Sequence, residues 1–149
     1  MSEDSKEKSS DLVLGRTRFE TVLTVRPDDI DMNQHVHASK YLDYVLAARY
    51  DQMERCYQMS MDEFLKQGFG WYVKTCHANY KRSLKMGERF VVRTWIDEFI
   101  RRGVKVQFEI DRETDGKRIA DGYFDYSMID LNTGRAAVIP AWIARKYAV

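Results

Sequence analysis

The stretch DIDMNQHVHASKYLDY (29–44) places Asp29, Asp31, Asn33, His35 and His37 on alternate positions, directly ahead of an apolar run. A loop carboxylate such as Asp31, set beside apolar helix residues and a gap of thioester size, would lose hydration and gain basicity, which suits a general base. His35 can orient water, share a proton or stabilise an oxyanion. Asn33, with donors and an acceptor but no charge, can hold substrate or water without titrating. Where the loop enters a helix, the first N–H groups lack intrahelical partners and carry the positive end of the dipole, so one N–H between Val36 and Ser39 is a candidate donor to a carbonyl oxygen. The same residue types also serve ordinary structural ends, as caps, turn formers or a local Asp31–His35 ion pair. His35-x-His37 with Asp31 invites a metal reading too. The pair has no further ligand of assigned facing, since His77 lies on a strand whose faces the pattern leaves open, and no metal is expected.

Such a loop needs elements to hold it. Upstream, Arg16 to Val25 reads as a first strand that Pro27 stops. Downstream, Ala38 to about Cys56 carries Tyr41, Leu42, Val45, Leu46, Ala48 and Met53 at helical spacing without Gly or Pro. Tyr44, Ala47 and Tyr50 add apolar surface to its other sides, so the pattern predicts a helix enclosed on more than one side. SMDEFLKQG predicts a short second helix, with Ser60 as cap, Glu63 completing a capping box and Gly68 as terminator.

The remainder is strand-like. In GVKVQFEIDR, Val104, Val106, Phe108 and Ile110 alternate with Lys105, Gln107, Glu109 and Asp111, so one face is wet. FGWYVKTCHANYKRS, FVVRTWIDEF and RIADGYFDYSMIDL predict three more strands, and PAWIARKYAV a last helical turn. Turn signals at Lys85-Met86-Gly87, near Arg101 to Gly103, at Asp115-Gly116 and at Asn132-Thr133-Gly134 predict successive hairpins, hence an antiparallel meander. No helices alternate with the later strands, which argues against a parallel doubly wound sheet. The expected class is α+β, a curved antiparallel sheet wrapped around one long central helix.

The 149 residues, 44% of them hydrophobic, suit one domain spanning 12–149. Residues 1–11 are polar and lack aromatics, and predict a disordered tail. With 24 Lys and Arg against 23 Asp and Glu, no strong field exists to gather nucleic acid or anionic membrane, and no nucleic-acid or membrane partner is expected. The charged N-terminus and the lack of a long apolar run predict a cytoplasmic protein. Cys56 and Cys76 have no metal-type spacing and are expected to remain thiols.

The run Asp29-Ile30-Asp31-Met32-Asn33-Gln34-His35-Val36 followed by Tyr41 resembles the signature of hotdog-fold acyl thioesterases, both the acyl-ACP type and the 4-hydroxybenzoyl-CoA thioesterase-like group. The resemblance is close over about 16 residues, and the element order agrees from about residue 16 to residue 147. It implies a hotdog fold and hydrolysis of an acyl-CoA or acyl-ACP thioester without metal or organic cofactor. Asp31 then falls on the catalytic carboxylate, as general base or nucleophile, with Asn33 and His35 beside it. Val36, His37 and Tyr41 fall on the substrate-binding side of the motif. Two positions depart from the pattern. His37 and Ala38 stand where the family commonly has two Asn, and Ser83 stands where the acyl-ACP type has an acidic residue, which makes Ser83 a secondary site candidate.

The resemblance also implies a homo-oligomer, a dimer or dimer of dimers with sites at the interface, because long strands would otherwise leave exposed edges. Lys81, Arg82, Lys85, Arg89, Arg101 and Arg102 near turns could meet the phosphates of CoA or of a carrier-protein arm. Tyr41 and Val45 are expected to flank the acyl chain. A rival reading is a non-catalytic hotdog protein that binds acyl thioesters. Another, enoyl-thioester hydration, would call for an acid and a His on the central helix, which after Ala38 offers Asp43, Asp51 and Glu54 but no His.

Overall fold

The computed structural model describes residues 12–149, and the predicted 1–11 tail lies outside the described residues. The chain runs β1 (Phe19–Thr24), α1 (Lys40–Arg55), α2 (Met61–Lys66), β2 (Phe69–Tyr80), β3 (Arg89–Ile100), β4 (Gly103–Arg112), β5 (Arg118–Asp130) and α3 (Ala141–Tyr147). Every strand pairs antiparallel in one sheet of order β1-β3-β4-β5-β2. Register shifts at Val73/Thr75 in β2 and at Ile96/Glu98 in β3 mark bulges, which bend and twist strands and so help this sheet curve. The α+β hotdog arrangement is present, with α1 against the concave side.

Three expectations are corrected. The meander holds for β3, β4 and β5 only. β2 does not form a hairpin with β3 but crosses to the far edge and pairs with β5, while β3 takes β1 as its other neighbour. The turn at Gly87 (φ 80°) is real, yet it delivers the chain to β1, where Val25 N–H donates to Glu88 O at 3.0 Å. The helix also begins later than expected, at Lys40, and among the described residues it is enclosed on one side only.

That side is a stripe of Tyr41, Tyr44, Val45, Ala48, Arg49, Gln52 and Met53 at three- and four-residue steps, the period of one helical face. The opposite side leaves Leu46 and Tyr50 exposed, beside a β2 edge that exposes Tyr72, Val73 and Tyr80. Around the first half of α1 the core gathers Val36, Leu84, Phe90, Phe108, Ile110 and Phe124. Around its second half lie Met53, Phe64, Ile96, Val106, Met128 and Ile143. Ser60 caps α2 by accepting from Glu63 N–H at 3.3 Å, and Gly68 (φ 84°) ends the segment as predicted. The Glu63 carboxylate instead lies 3.9 Å from Lys66 Nζ, so the capping box is half made. No helix among the described residues is long and apolar enough to cross a membrane.

Candidate active site

Residues 30–36 close on themselves ahead of α1. Ile30 bridges Val36, Asp31 N–H donates to His35 O at 2.9 Å, and Gln34 N–H donates to Asp31 O at 3.0 Å with Gln34 in the left-handed region (φ 62°). The Asp31 side chain completes the loop from inside. Its Oδ1 accepts from Asn33 N–H at 2.9 Å and from His35 N–H at 3.3 Å, the self-bonding that suits Asp to such turns. His35 therefore meets Asp31 through its backbone, and no ion pair joins the His35 ring to that carboxylate. Asp31 is half-buried, and none of the described residues hydrogen-bonds its Oδ2.

The loop is pinned from below. Val36 N–H donates to Leu84 O at 2.9 Å, His35 bridges Lys85, and Leu84 N–H donates to the buried Tyr41 hydroxyl at 3.0 Å. Burial raises the Tyr41 hydroxyl above the ordinary phenol range, while the Leu84 N–H pulls it the other way. Asp31, Asn33, His35, Val36 and Tyr41 are thus assembled in one place, with the 83–85 segment beneath them. Ser83 is exposed and contributes its carbonyl, which accepts from Arg112 Nη2 at 3.0 Å. His37 is exposed, with Nδ1 2.9 Å from Ser39 Oγ and accepting from Ser39 N–H at 3.3 Å.

The paired aspartates have separate surroundings. Asp29 is 3% exposed, accepts from the Tyr44 hydroxyl at 2.7 Å, and lends its backbone carbonyl to His37 N–H at 2.9 Å. Asp29 is thus an anchor in the core, and Asp31 is the half-exposed member of the pair. Among the loop amides proposed as carbonyl donors, Val36 N–H is taken by Leu84 O, His37 N–H by Asp29 O and Ser39 N–H by His37 Nδ1. Ala38 N–H is the one that no described acceptor takes.

The basic residues divide. Lys81, Arg82 and Lys85 stand exposed on the connection that carries the loop. Arg89 is paired with Glu113 at 3.3 Å. Arg101 and Arg102 sit at the β3–β4 turn, the length of β3 away, about 40 Å along an extended strand.

A cavity of about 310 Å³, near the lower end of the size range of small-molecule sites, lies along the second half of α1, lined by Leu46, Tyr50, Met53, Trp71, Ile96 and Tyr126 among others. Tyr41 and Val45 do not line it: at 4% and 0% exposure they are core residues one to two turns nearer the loop. The residue that sequence reasoning missed is Arg49, which lines the cavity while only 7% exposed. Its signal was present, because Arg49 and Gln52 share the periodicity of the apolar stripe and had to face inward.

These features define a class. Residues 25–147 match the thioesterase-like superfamily, and the chain belongs to that family. Among curated relatives, the long-chain acyl-CoA thioesterase FadM of Escherichia coli is 23% identical over 128 residues, covering 86% of this chain and 96% of FadM. A hypothetical protein of Thermus thermophilus superposes with a TM-score of 0.79 at 28% identity, covering 86% of this chain and 95% of its own. A DHNA-CoA thioesterase of Staphylococcus aureus gives a TM-score of 0.76 at 23% identity, covering 81% of this chain and 80% of its own.

Proposed function

We propose that the chain hydrolyses acyl-CoA thioesters and that Asp31 is the acting carboxylate. The observation that carries this reading is the asymmetry of the carboxylate. Two backbone N–H groups hold Oδ1, which fixes the side chain, and Oδ2 is left without a partner among the described residues. Membership of the thioesterase-like superfamily and the acyl-CoA substrate in the name of FadM support the reaction class.

Two routes use the same atom. As general base, Oδ2 takes a proton from water as the water oxygen bonds to the thioester carbonyl carbon; the carbon–sulfur bond then breaks and the thiolate leaves with a proton as CoA thiol. As nucleophile, Oδ2 bonds to that carbon and expels the thiolate, and water cleaves the resulting anhydride. In both, negative charge grows on the carbonyl oxygen, and Ala38 N–H at the entry to α1 is the donor for it. Asn33 and His35 position the water or the thioester, His37 borders the binding side with Ser83 next to it, and Val36 and Tyr41 hold the loop in place from the core beneath. Lys81, Arg82 and Lys85, exposed beside the loop, would meet the CoA phosphates.

The reading includes a homo-oligomer acting in the cytoplasm. The exposed Leu46 and Tyr50 on α1 and Tyr72, Val73 and Tyr80 on edge strand β2 make the face that a second copy would cover. The test is a panel of acyl-CoA thioesters of varied length and aromaticity, followed by release of free thiol. Hydrolysis of at least one, abolished by Asp31→Asn, is expected. A folded protein that cleaves none of them yet copurifies with acyl-CoA would replace hydrolysis with binding.

A further inference from the structure

Arg49 is a buried cation with no counter-ion beside it among the described residues. Its Nη1 donates to Thr94 Oγ1 at 3.1 Å, and its guanidinium carbon stands 5.2 Å from the centre of the Tyr57 ring. No carboxylate lies within ion-pair distance of it among the described residues. The Thr94 hydroxyl in turn donates to Gln52 Oε1, Gln52 Nε2 donates to Thr21 Oγ1 at 3.1 Å, and Thr21 donates to Asp51 Oδ2 at 2.6 Å. The nearest acid on this path is therefore three side chains away, and it is already paired with Arg55 at 2.9 Å. Desolvating an unpaired guanidinium is costly, so its retention in an otherwise uncharged wall calls for a partner.

The cavity supplies the place for one. Arg49 is the single charged side chain among its lining residues, and the rest of the wall is aliphatic, aromatic or methionine. Tyr126 belongs to the same wall, and its hydroxyl is hydrogen-bonded by none of the described residues. Burial pushes that hydroxyl up to about 12, while the Arg49 charge pulls it the other way. Arg49 sits nine residues into α1, about 13 Å along the axis from its start and hence well beyond the Asp31 loop.

We infer that the cavity takes an acyl chain whose far end carries a carboxylate, and that Arg49 is the residue that selects it. The inference rests on the thioester-hydrolase reading and adds the substrate class: ω-carboxyacyl thioesters rather than plain fatty acyl thioesters. The fold has already desolvated the guanidinium and fixed one of its nitrogens on Thr94, so an incoming carboxylate gains a charge-assisted, bidentate pair at little further ordering.

The experiment compares octanoyl-, dodecanoyl- and hexadecanoyl-CoA with their ω-carboxy counterparts on the wild-type protein, on Arg49→Met and on Arg49→Lys. The wild type is expected to favour the ω-carboxy member of the best-fitting pair in kcat/KM by about 10- to 100-fold. Arg49→Met should remove that preference, and Arg49→Lys should keep part of it. In parallel, calorimetry on the wild type should show decanoate binding more tightly than decanamide, with the difference lost in Arg49→Met. If thioesters are cleaved equally well with and without the terminal carboxylate, or if the ratio is unchanged in a folded Arg49→Met, the inference is overturned while the hydrolase reading stands. If no thioester is cleaved but decanoate binds in an Arg49-dependent way, the anion site stands and the hydrolase reading falls. Should Arg49→Met not fold, the wild-type comparison of the paired substrates decides alone.

Discussion

Replacing Tyr44 by Phe separates the two aspartates of the motif. The ring stays, with its 4.7 Å contact to Phe90 and its edge contact to Tyr41, and only the hydroxyl that donates to Asp29 Oδ2 is lost. Asp29 is 3% exposed and its remaining charged neighbour, Arg26, stands 3.8 Å away with its side chain largely in solvent, which screens it. A hydrogen bond to a buried charged group contributes about 1.5–3 kcal/mol. At about 2–4 °C per kcal/mol for a chain of this size, the melting temperature should fall by about 3–12 °C. The loop keeps its other ties to Leu84 and Lys85, so thioester hydrolysis by the folded variant should drop by less than about tenfold. Differential scanning calorimetry and the thiol-release assay read the two quantities. A melting temperature within a degree of wild type would refute the buried-anchor role. A rate loss of a hundredfold or more at unchanged stability would mean that Asp29, not its neighbour, does the chemistry.

Other outcomes follow from the same geometry. Tyr126 and Tyr147 have hydroxyls raised by burial, so the folded state holds their protons where the unfolded chain has released them. The stability they add is fully present below the ordinary tyrosine value near pH 10 and is lost as pH rises toward the raised folded values, at about 1.4 kcal/mol per pH unit for each group. Urea titrations between pH 9 and pH 12 should show that decline, with a shallower slope in Tyr147→Phe; an equal slope would contradict it. Gln52→Leu removes the centre of the Thr94–Gln52–Thr21 chain in a fully buried position and should destabilise by about 2–3 kcal/mol in urea unfolding. A neutral Gln52→Leu would show that Thr94 and Thr21 find other partners. Val73→Lys on edge strand β2 should shift sedimentation from oligomer toward monomer, and a wild type that sediments as a monomer would remove the proposed partner face.

How far the fold was legible depended on whether local pattern or distant pairing decided each element. β4 spans Gly103–Arg112, the same ten residues as the alternating stretch, because one face is core and the other solvent and a slip of one residue would invert both. β2 was legible as a strand but not in its partner. Its neighbour β5 carries Gly122, where a Cβ would meet His77 O at 1.9 Å, so that pairing relies on a missing side chain on a strand separated from β2 in sequence by β3 and β4. A local turn at Gly87 says that the chain reverses and says nothing of which strand it joins. The helix was legible by period, but its exposed Leu46 and Tyr50 look the same in sequence whether a sheet of the same chain or a second copy covers them.

The site divides in a similar way. Asp31, Asn33 and His35 were readable because their spacing is local, and the turn that gathers them is closed by bonds within the 29–37 segment. The burial of Asp29 was not, since it depends on Tyr44 fifteen positions on. Arg49 was visible as a charge on an apolar stripe, but its lack of a counter-ion emerges only once Thr94 and Tyr57 are in place.

The central claim is that Oδ2 of Asp31 acts on the thioester, and Asp31→Asn tests it most directly. The amide oxygen can still accept from Asn33 and His35 N–H, so the loop should survive with a stability loss of about 1 kcal/mol. Steady-state thiol release from the best acyl-CoA substrate should fall by about 100- to 10,000-fold in kcat/KM while the circular dichroism spectrum is unchanged. A folded Asp31→Asn protein that releases thiol at the wild-type rate would contradict the assignment.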